Sequence, residues 1–218
     1  MASPTLLELA AELRKLCDEI KAHQDANLLA IRKIADVIEA MDKPPVIVST
    51  LPNVLYRSQW DADAAFVKSD CGPAALAMLL GFRGITATVD EISIACGMGA
   101  NKKYTTAADL VKVSKDLGLE IMHVSGWTLE QFAKQSPCIV LVHYADLKDR
   151  QDQNYTNGHW VVLLGIQGND AVIHDPDYKA PRRDEGRECR VDVITFALAM
   201  RNCAMDGNRA GTGLVMAH

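Results

Sequence analysis

The sequence predicts an α+β fold in which helices pack against one antiparallel sheet, and three observations support this prediction. Residues 71–80 begin with Cys71-Gly72-Pro73 and continue as apolar helix formers, which predicts a buried helix. Residues 158–166 and 171–175 are apolar, rich in β-branched side chains and separated by a short turn, so we expect two antiparallel strands. Residues 88–136 carry the capping signals of short helices.

The remaining elements are predicted from caps and apolar runs. We expect Thr88, then Thr105 or Thr106, and then Thr128 to begin three helices. Residues 137–144 predict a buried strand, residues 192–201 a helix and residues 213–217 a last strand. The polar loop 97–106 lies close in sequence to the helix of Cys71, and we expect it to line a substrate cleft; the alternative is an ordinary surface loop. The polar loop 145–156 precedes His159, and we expect it to lie at the rim of the same cleft.

Composition excludes several classes of protein. The chain has 218 residues, of which 49% are hydrophobic and 23% charged, as is ordinary for a globular protein. Its formal net charge of −5 gives no reason to expect a nucleic-acid partner, and no apolar run is long enough to span a membrane. The six cysteines form no CxxC pair, so we expect no metal, no cofactor and a reduced, cytoplasmic protein, or a virion-associated one if phage-encoded.

Residues 1–43 form a predicted N-terminal unit that precedes a domain of residues 44–218. Within residues 5–41, apolar side chains recur at alternating steps of three and four, as in a coiled coil. The stripe consists of Leu6, Leu9, Leu13, Leu16, Ile20, Ile34, Val37 and Met41, with His23, Asn27 and Ala30 at its centre. We expect a homo-oligomer through this helix; the alternative is a helix folded back on its own domain. Residues 46–56 predict a linker with a short edge strand.

Cys71 is the candidate nucleophile. A thiol at the start of a helix lies at the positive end of the helix dipole, which favours the thiolate that attacks carbonyl carbon. We expect Gly72 to give the backbone room to turn and to approach a substrate. The alternative is a small apolar cysteine packed under the helix.

A base and an acid are predicted on the paired strands. His159 lies at the start of one strand and Asp175 at the end of the next, so antiparallel pairing makes them neighbours. Asp175 then orients the imidazole, and Gln59 upstream is the candidate amide donor to an oxyanion. His143 at the end of another strand is the rival base, but no acid follows it across a turn.

Four segments together resemble the papain-like cysteine peptidases of the bacteriocin-leader-processing, double-glycine type. These are Gln59, Asp70-Cys71-Gly72-Pro73-Ala74, Gly158-His159-Trp160-Val161-Val162 and Asp175-Pro176, spread over residues 55–180. The resemblance implies a papain-like fold with a Cys-bearing helix packed on an antiparallel sheet. It also implies that Cys71 is the nucleophile, His159 the base and then acid, Asp175 the orienting residue and Gln59 the oxyanion donor.

The substrate is left open by this resemblance. Peptidases of this type are commonly joined to a membrane transporter, and because this sequence shows no such portion, we expect a peptide or amide substrate that need not be a leader. Two alternatives are a cell-wall amidase or endopeptidase of a phage or bacterium, and an acyl transferase with the same triad. A third is a non-catalytic oligomeric interaction protein that keeps the fold.

Overall fold

In a computed structural model, the chain forms two units, residues 1–45 and residues 46–218. The structure describes residues 6–20, 50–64, 66, 68–147, 155, 157–203 and 210–217. Of the first unit it describes helix α1, Leu6–Ile20. The apolar stripe predicted beyond residue 20 lies outside the described residues, and so does the first part of the predicted linker. No described helix combines the length and the hydropathy that crossing a membrane requires.

The second unit is built on a six-stranded antiparallel sheet, which confirms the predicted fold class. Its strands in chain order are β1 (Ile121–Val124), β2 (Cys138–His143), β3 (Gly158–Gln167), β4 (Asp170–His174), β5 (Cys189–Asp192) and β6 (Gly213–Met216). Their order across the sheet is β1-β6-β2-β3-β4-β5. The last strand therefore lies between β1 and β2, and β3 with β4 forms the predicted hairpin.

Five further helices complete the fold. They are α2 (Cys71–Phe82), α3 (Val89–Ala95), α4 (Ala107–Asp116), α5 (Leu129–Ala133) and α6 (Val193–Asn202), with 3₁₀ turns at Tyr144–Asp146 and Arg183–Gly186. Thr88, Thr106 and Thr128 each cap a helix through a reciprocal capping box, so three predicted helix starts are confirmed.

The two faces of the sheet carry separate apolar cores, because alternate residues of a strand point to opposite faces. On one face, Leu76 of α2 and Leu110 of α4 pack in a cluster with Val162 of β3. On the other, Phe132 of α5 and Phe196 of α6 are fully buried in a second cluster. The Cys-bearing helix is apolar along its length because the sheet covers one side of it and other helices lie against it.

The predicted edge strand within residues 46–56 is wrong for its described part, since residues 50–58 form no strand. This segment is instead held by side-chain bonds from β4 and the residues after it. His174 donates through Nε2 to the carbonyl of Val54 at 2.8 Å, and the hydroxyl of Tyr56 donates to the carbonyl of Asp175 at 2.8 Å. Both His174 and Asp175 are buried, so the segment bonds to the interior rather than to a sheet edge.

A bulge in the β3–β4 hairpin decides which side chains share a face. Gln167 pairs with Asp170, but the register shifts between Leu163 and Gly165, so that Val162 lies opposite His174. Paired residues point to the same face, and a shift of one residue reverses the face of everything beyond it. Continued past its last pair, the shifted register puts position 175 on the face of His159.

Candidate active site

The N-terminus of α2 opens onto a cavity of about 560 Å³. Cys71 is half-buried at its wall, and His159 and Gln59 line the same cavity. Three of the four predicted site residues therefore meet around one space, and the fourth, Asp175, lies fully buried behind His159.

His159 and Asp175 form a buried pair. The Nε2 atom of His159 lies 2.8 Å from Oδ1 of Asp175, and their side chains are 3% and 0% exposed. The same carboxylate oxygen accepts the backbone N–H of Asp177 at 2.9 Å. Because a carboxylate accepts, we assign the proton of the neutral ring to Nε2, which makes Nδ1 the basic nitrogen.

Asp177 ties two aromatic side chains to this pair. Its carboxylate accepts a bond from the indole Nε1 of Trp60 at 2.7 Å and another from the hydroxyl of Tyr144. The ring of Tyr144 meets that of His159 edge-on, with centroids 5.2 Å apart and planes at 89°. Sequence reasoning missed Asp177, although its place two residues after Asp175 was a signal, since an Asp side chain often accepts the backbone N–H two residues on.

The segment that carries Gln59 is fastened to the residues after β4. The backbone N–H of Gln59 donates to the carbonyl of Pro176 at 2.9 Å, and the hydroxyl of Ser58 donates to that of Tyr178 at 2.7 Å. The side chain of Gln59 is 4% exposed, and its amide oxygen has no hydrogen-bond partner among the described residues. Because the O and N of an amide exchange by a flip, this buried end can also present a donor.

The thiol of Cys71 departs from the predicted resting thiolate. The pKa of Cys71 is raised to about 11, mainly by burial and to a smaller extent by the charges of Asp177 and Asp70. The backbone N–H groups of Trp160 and Gly72 act in the opposite direction and lower this pKa. The N–H groups at the start of the helix thus favour the thiolate, as expected from the helix position, but desolvation outweighs them.

Gly72 has another role than the predicted one. A Cβ at this position would clash with Oγ1 of Thr105 and would lie 3.1 Å from Cδ1 of Trp160. Gly72 is also buried. Its lack of a side chain thus lets the loop before α4 pack against the start of α2, where Trp160 donates to the carbonyl of Thr105 at 3.3 Å.

Each of the two loops predicted to border the cleft contributes part of its length to the cavity. Residues 103–106 line the cavity, and so does Tyr155 from the second loop, most of which lies outside the described residues. The rival base His143 does not line this cavity, and its Nδ1 lies 3.2 Å from Asp146. The five described cysteines form no disulfide with one another.

Comparisons with known proteins identify the family and the fold. The family model of the Peptidase C39 family matches residues 64–186, more than half of the chain. The chain is similar to a double glycine motif protease from an AMS/PCAT transporter, solved with its leader peptide, at 22% identity and a TM-score of 0.51, covering 80% of this chain and 98% of that one.

It is also similar to a protein described as a C39-like peptidase from Bacillus anthracis. That likeness has 16% identity and a TM-score of 0.53, and it covers 81% of this chain and 98% of the other. At these identities the two structures bear on the fold. No curated protein matches the chain by sequence.

Proposed function

We propose that this chain, which belongs to the Peptidase C39 family and is thus a papain-like cysteine peptidase, cleaves its peptide substrate with Cys71 as nucleophile. His159 is the base and then the acid, Asp175 orients it, and Gln59 stabilises the oxyanion. The observation that carries the proposal is the 2.8 Å bond between His159 and the buried Asp175, at the cavity onto which Cys71 opens.

The first step is attack on the scissile carbonyl. Because the pKa of Cys71 is about 11, the sulfur is protonated at neutral pH. Nδ1 of His159 takes this proton as the C–S bond forms, and the imidazolium is stabilised by Asp175. The carbonyl oxygen gains negative charge, which the amide of Gln59 and the backbone N–H of Cys71 stabilise, since N–H groups in the first helical turn have no partner within the helix.

The second step releases the two products. His159 returns its proton to the leaving amine as the C–N bond breaks, which leaves a thioester on Cys71. His159 then removes a proton from water, hydroxide adds to the thioester, and the acid product leaves as the thiol is restored. Peptide is the proposed substrate class because it is the one on which the family acts.

The test compares Cys71→Ala and His159→Ala with His143→Ala in the full-length chain, using a library of fluorescence-quenched peptides. We expect the first two variants to lose about 10³-fold or more of kcat/KM, because nucleophile and base act as one unit. His143→Ala is the matched control, a neighbouring histidine outside the cavity, and should keep the wild-type value. Loss of turnover in His143→Ala alone would contradict the assignment.

We also propose that the chain self-associates through residues 5–41. In support, Leu9 and Leu16 of the predicted stripe lie exposed on α1, at 38% and 50%. A reduced, intracellular setting stays a prediction from the cysteine pattern of the sequence.

A further inference from the structure

Lysines surround the cavity of a chain whose overall charge is negative. The formal net charge is −5, yet Lys68, Lys103 and Lys179 line the cavity and a single acidic residue, Asp177, lies among its described lining. The three lysines come from separate segments: the loop before α2, the loop before α4 and the residues after β4. A positive opening is therefore a local feature of this site.

The carboxylate in the cavity does not pair with these lysines. Asp177 accepts bonds from Trp60 and Tyr144, which hold it beside His159. Lys179 lies instead over the indole ring of Trp60, with its Nζ 5.2 Å from the ring centroid. This contact positions one ammonium group next to the segment that carries Gln59.

Other basic residues nearby are already paired. Lys102 lies 2.6 Å from Asp109, Arg183 lies 2.6 Å from Asp61, and Arg57 pairs with Asp63. None of the three cavity lysines forms an ion pair with any residue in the described parts of the chain. They are also exposed, so their ammonium groups can meet a ligand.

We propose that Lys68, Lys103 and Lys179, here called the lysine collar, select a peptide that carries a carboxylate side chain beside its scissile bond. The inference rests on the proposed function, since the collar surrounds the cavity of Cys71. Ammonium groups attract carboxylates as point charges, and three of them around one cavity raise the local concentration of an anionic substrate.

A small probe tests the collar without any peptide. The second-order rate constant for alkylation of Cys71 is measured with anionic iodoacetate and with neutral iodoacetamide. The iodoacetate-to-iodoacetamide ratio is then divided by the same ratio measured for the model thiol N-acetylcysteinamide. At about 20 mM salt we expect a normalised ratio on the order of 10, falling towards 1 at about 500 mM salt because salt screens exposed charges. A ratio of 1 or less at low salt would overturn the inference.

Variants then locate the effect. Lys68→Gln, Lys103→Gln and Lys179→Gln should each lower the ratio about two- to threefold, as expected for exposed charges, and the triple variant should bring it near 1. Lys115→Gln, an exposed lysine of α4 outside the cavity, is the matched control and should leave the ratio unchanged. A triple variant that keeps the wild-type ratio would contradict the proposed role of the lysine collar. If the triple variant does not fold, the single variants and the salt series still test that role.

A set of peptides tests the charge preference of the lysine collar separately from the proposed peptidase activity. Fluorescence-quenched peptides carry Glu, Gln or Lys at each position flanking the cleaved bond. We expect Glu to exceed Gln at least about threefold in kcat/KM, mainly through KM, and the triple variant to lose this preference. Cleavage without preference overturns the inference alone. Absence of cleavage with every peptide overturns the proposed function, and the inference with it.

Discussion

The sulfur of Cys71 lies between opposing influences, and the charges around it decide how it reacts. Burial and the carboxylates of Asp177 and Asp70 favour the thiol, whereas two backbone N–H groups favour the thiolate. A cysteine that rests as a thiol needs a neighbouring base to remove its proton as it attacks. Its chemistry differs from that of a resting ion pair, which would react at a constant rate across neutral pH.

The rate of Cys71 alkylation should therefore rise with pH. With a pKa of about 11, the rate with iodoacetamide increases about tenfold per unit from pH 7 to 10. Asp177→Asn removes a charge that raises this pKa, so alkylation at pH 8 should become faster. Asp116→Asn, an exposed carboxylate of α4, is the control. Site-resolved mass spectrometry gives the rates, and a flat profile between pH 6 and 9 would contradict the protonated resting state.

A second buried histidine links stability to pH. His174 donates to Val54 through Nε2 and accepts the backbone N–H of Glu188 at Nδ1 at 3.0 Å, so the neutral ring is the form that fits. Burial lowers the pKa of His174 below its ordinary value of 6.5. The unfolded chain then binds this proton first on acidification, and the free energy of unfolding should fall as pH drops below about 6.5.

The expected slope is at most about 1.4 kcal/mol per pH unit for one proton. Urea unfolding between pH 7.5 and 5.5 measures it in the wild type and in His174→Gln, whose pH dependence should be flatter. His123→Gln, at an exposed position on β1, is the control and should keep the wild-type slope. Equal slopes in all three proteins would show that His174 does not carry the effect.

Among the helices, α2 joins the proposed nucleophile Cys71 to the loop beside it. Its first turn packs against residues 103–106 through Gly72, whereas its last turn reaches the surface. The two glycines of α2 therefore lie in opposite environments: Gly72 is buried and Gly81 is exposed. The packing at Gly72 explains why a glycine directly follows the cysteine.

Gly72→Ala should disturb the site and Gly81→Ala should not. In Gly72→Ala the added methyl clashes with Thr105, so we expect the free energy of unfolding to fall by about 1–3 kcal/mol and kcat/KM to decrease. A Cβ at Gly81 meets nothing within 4 Å, and alanine there should stabilise the helix by about 0.5–1 kcal/mol. Thermal unfolding and peptide cleavage measure both variants. Full activity in Gly72→Ala would refute the role given to this contact.

At the scale of the whole molecule, a peptidase unit follows a helical N-terminal unit. Contacts divide the chain after residue 45, where the sequence predicts a boundary after residue 43, and both apolar clusters lie in the second unit. On α1, Leu9 and Leu16 belong to the predicted heptad stripe, whereas Leu7 lies off it although it is 55% exposed. This difference provides a matched test of self-association.

Leu9→Gln and Leu16→Gln together should lower the molar mass of the full-length chain at micromolar concentration, because a polar side chain in the seam of a coiled coil is costly. Leu7→Gln should leave the mass unchanged. Light scattering with sedimentation gives the masses. A monomeric wild type, or equal masses for all variants, would contradict the proposed oligomer and favour the folded-back helix.

Local chemistry explains why much of the fold was predictable. The sequence predicts correctly those features that depend on residues close together in the chain. These are the capping boxes of Thr88, Thr106 and Thr128 and the apolar helix that begins at Cys71. The contributions of distant segments were not predictable. The bonds of Asp177 to Trp60 and Tyr144, the meeting of three lysines at one cavity and the contact of Gly72 with Thr105 each bring together residues far apart in the chain.

The helix of Cys71, the hairpin strands and the residue types of the site follow from the amino-acid sequence alone. Their geometry depends on how distant segments pack. A hairpin continued without a bulge from the pair of Gln167 and Asp170 would place Asp175 on the opposite face from His159; the shift at Leu163 and Gly165 reverses this, and the two side chains meet at 2.8 Å. Side chains alternate along a strand, so one extra residue in β3 exchanges the faces of the residues beyond it.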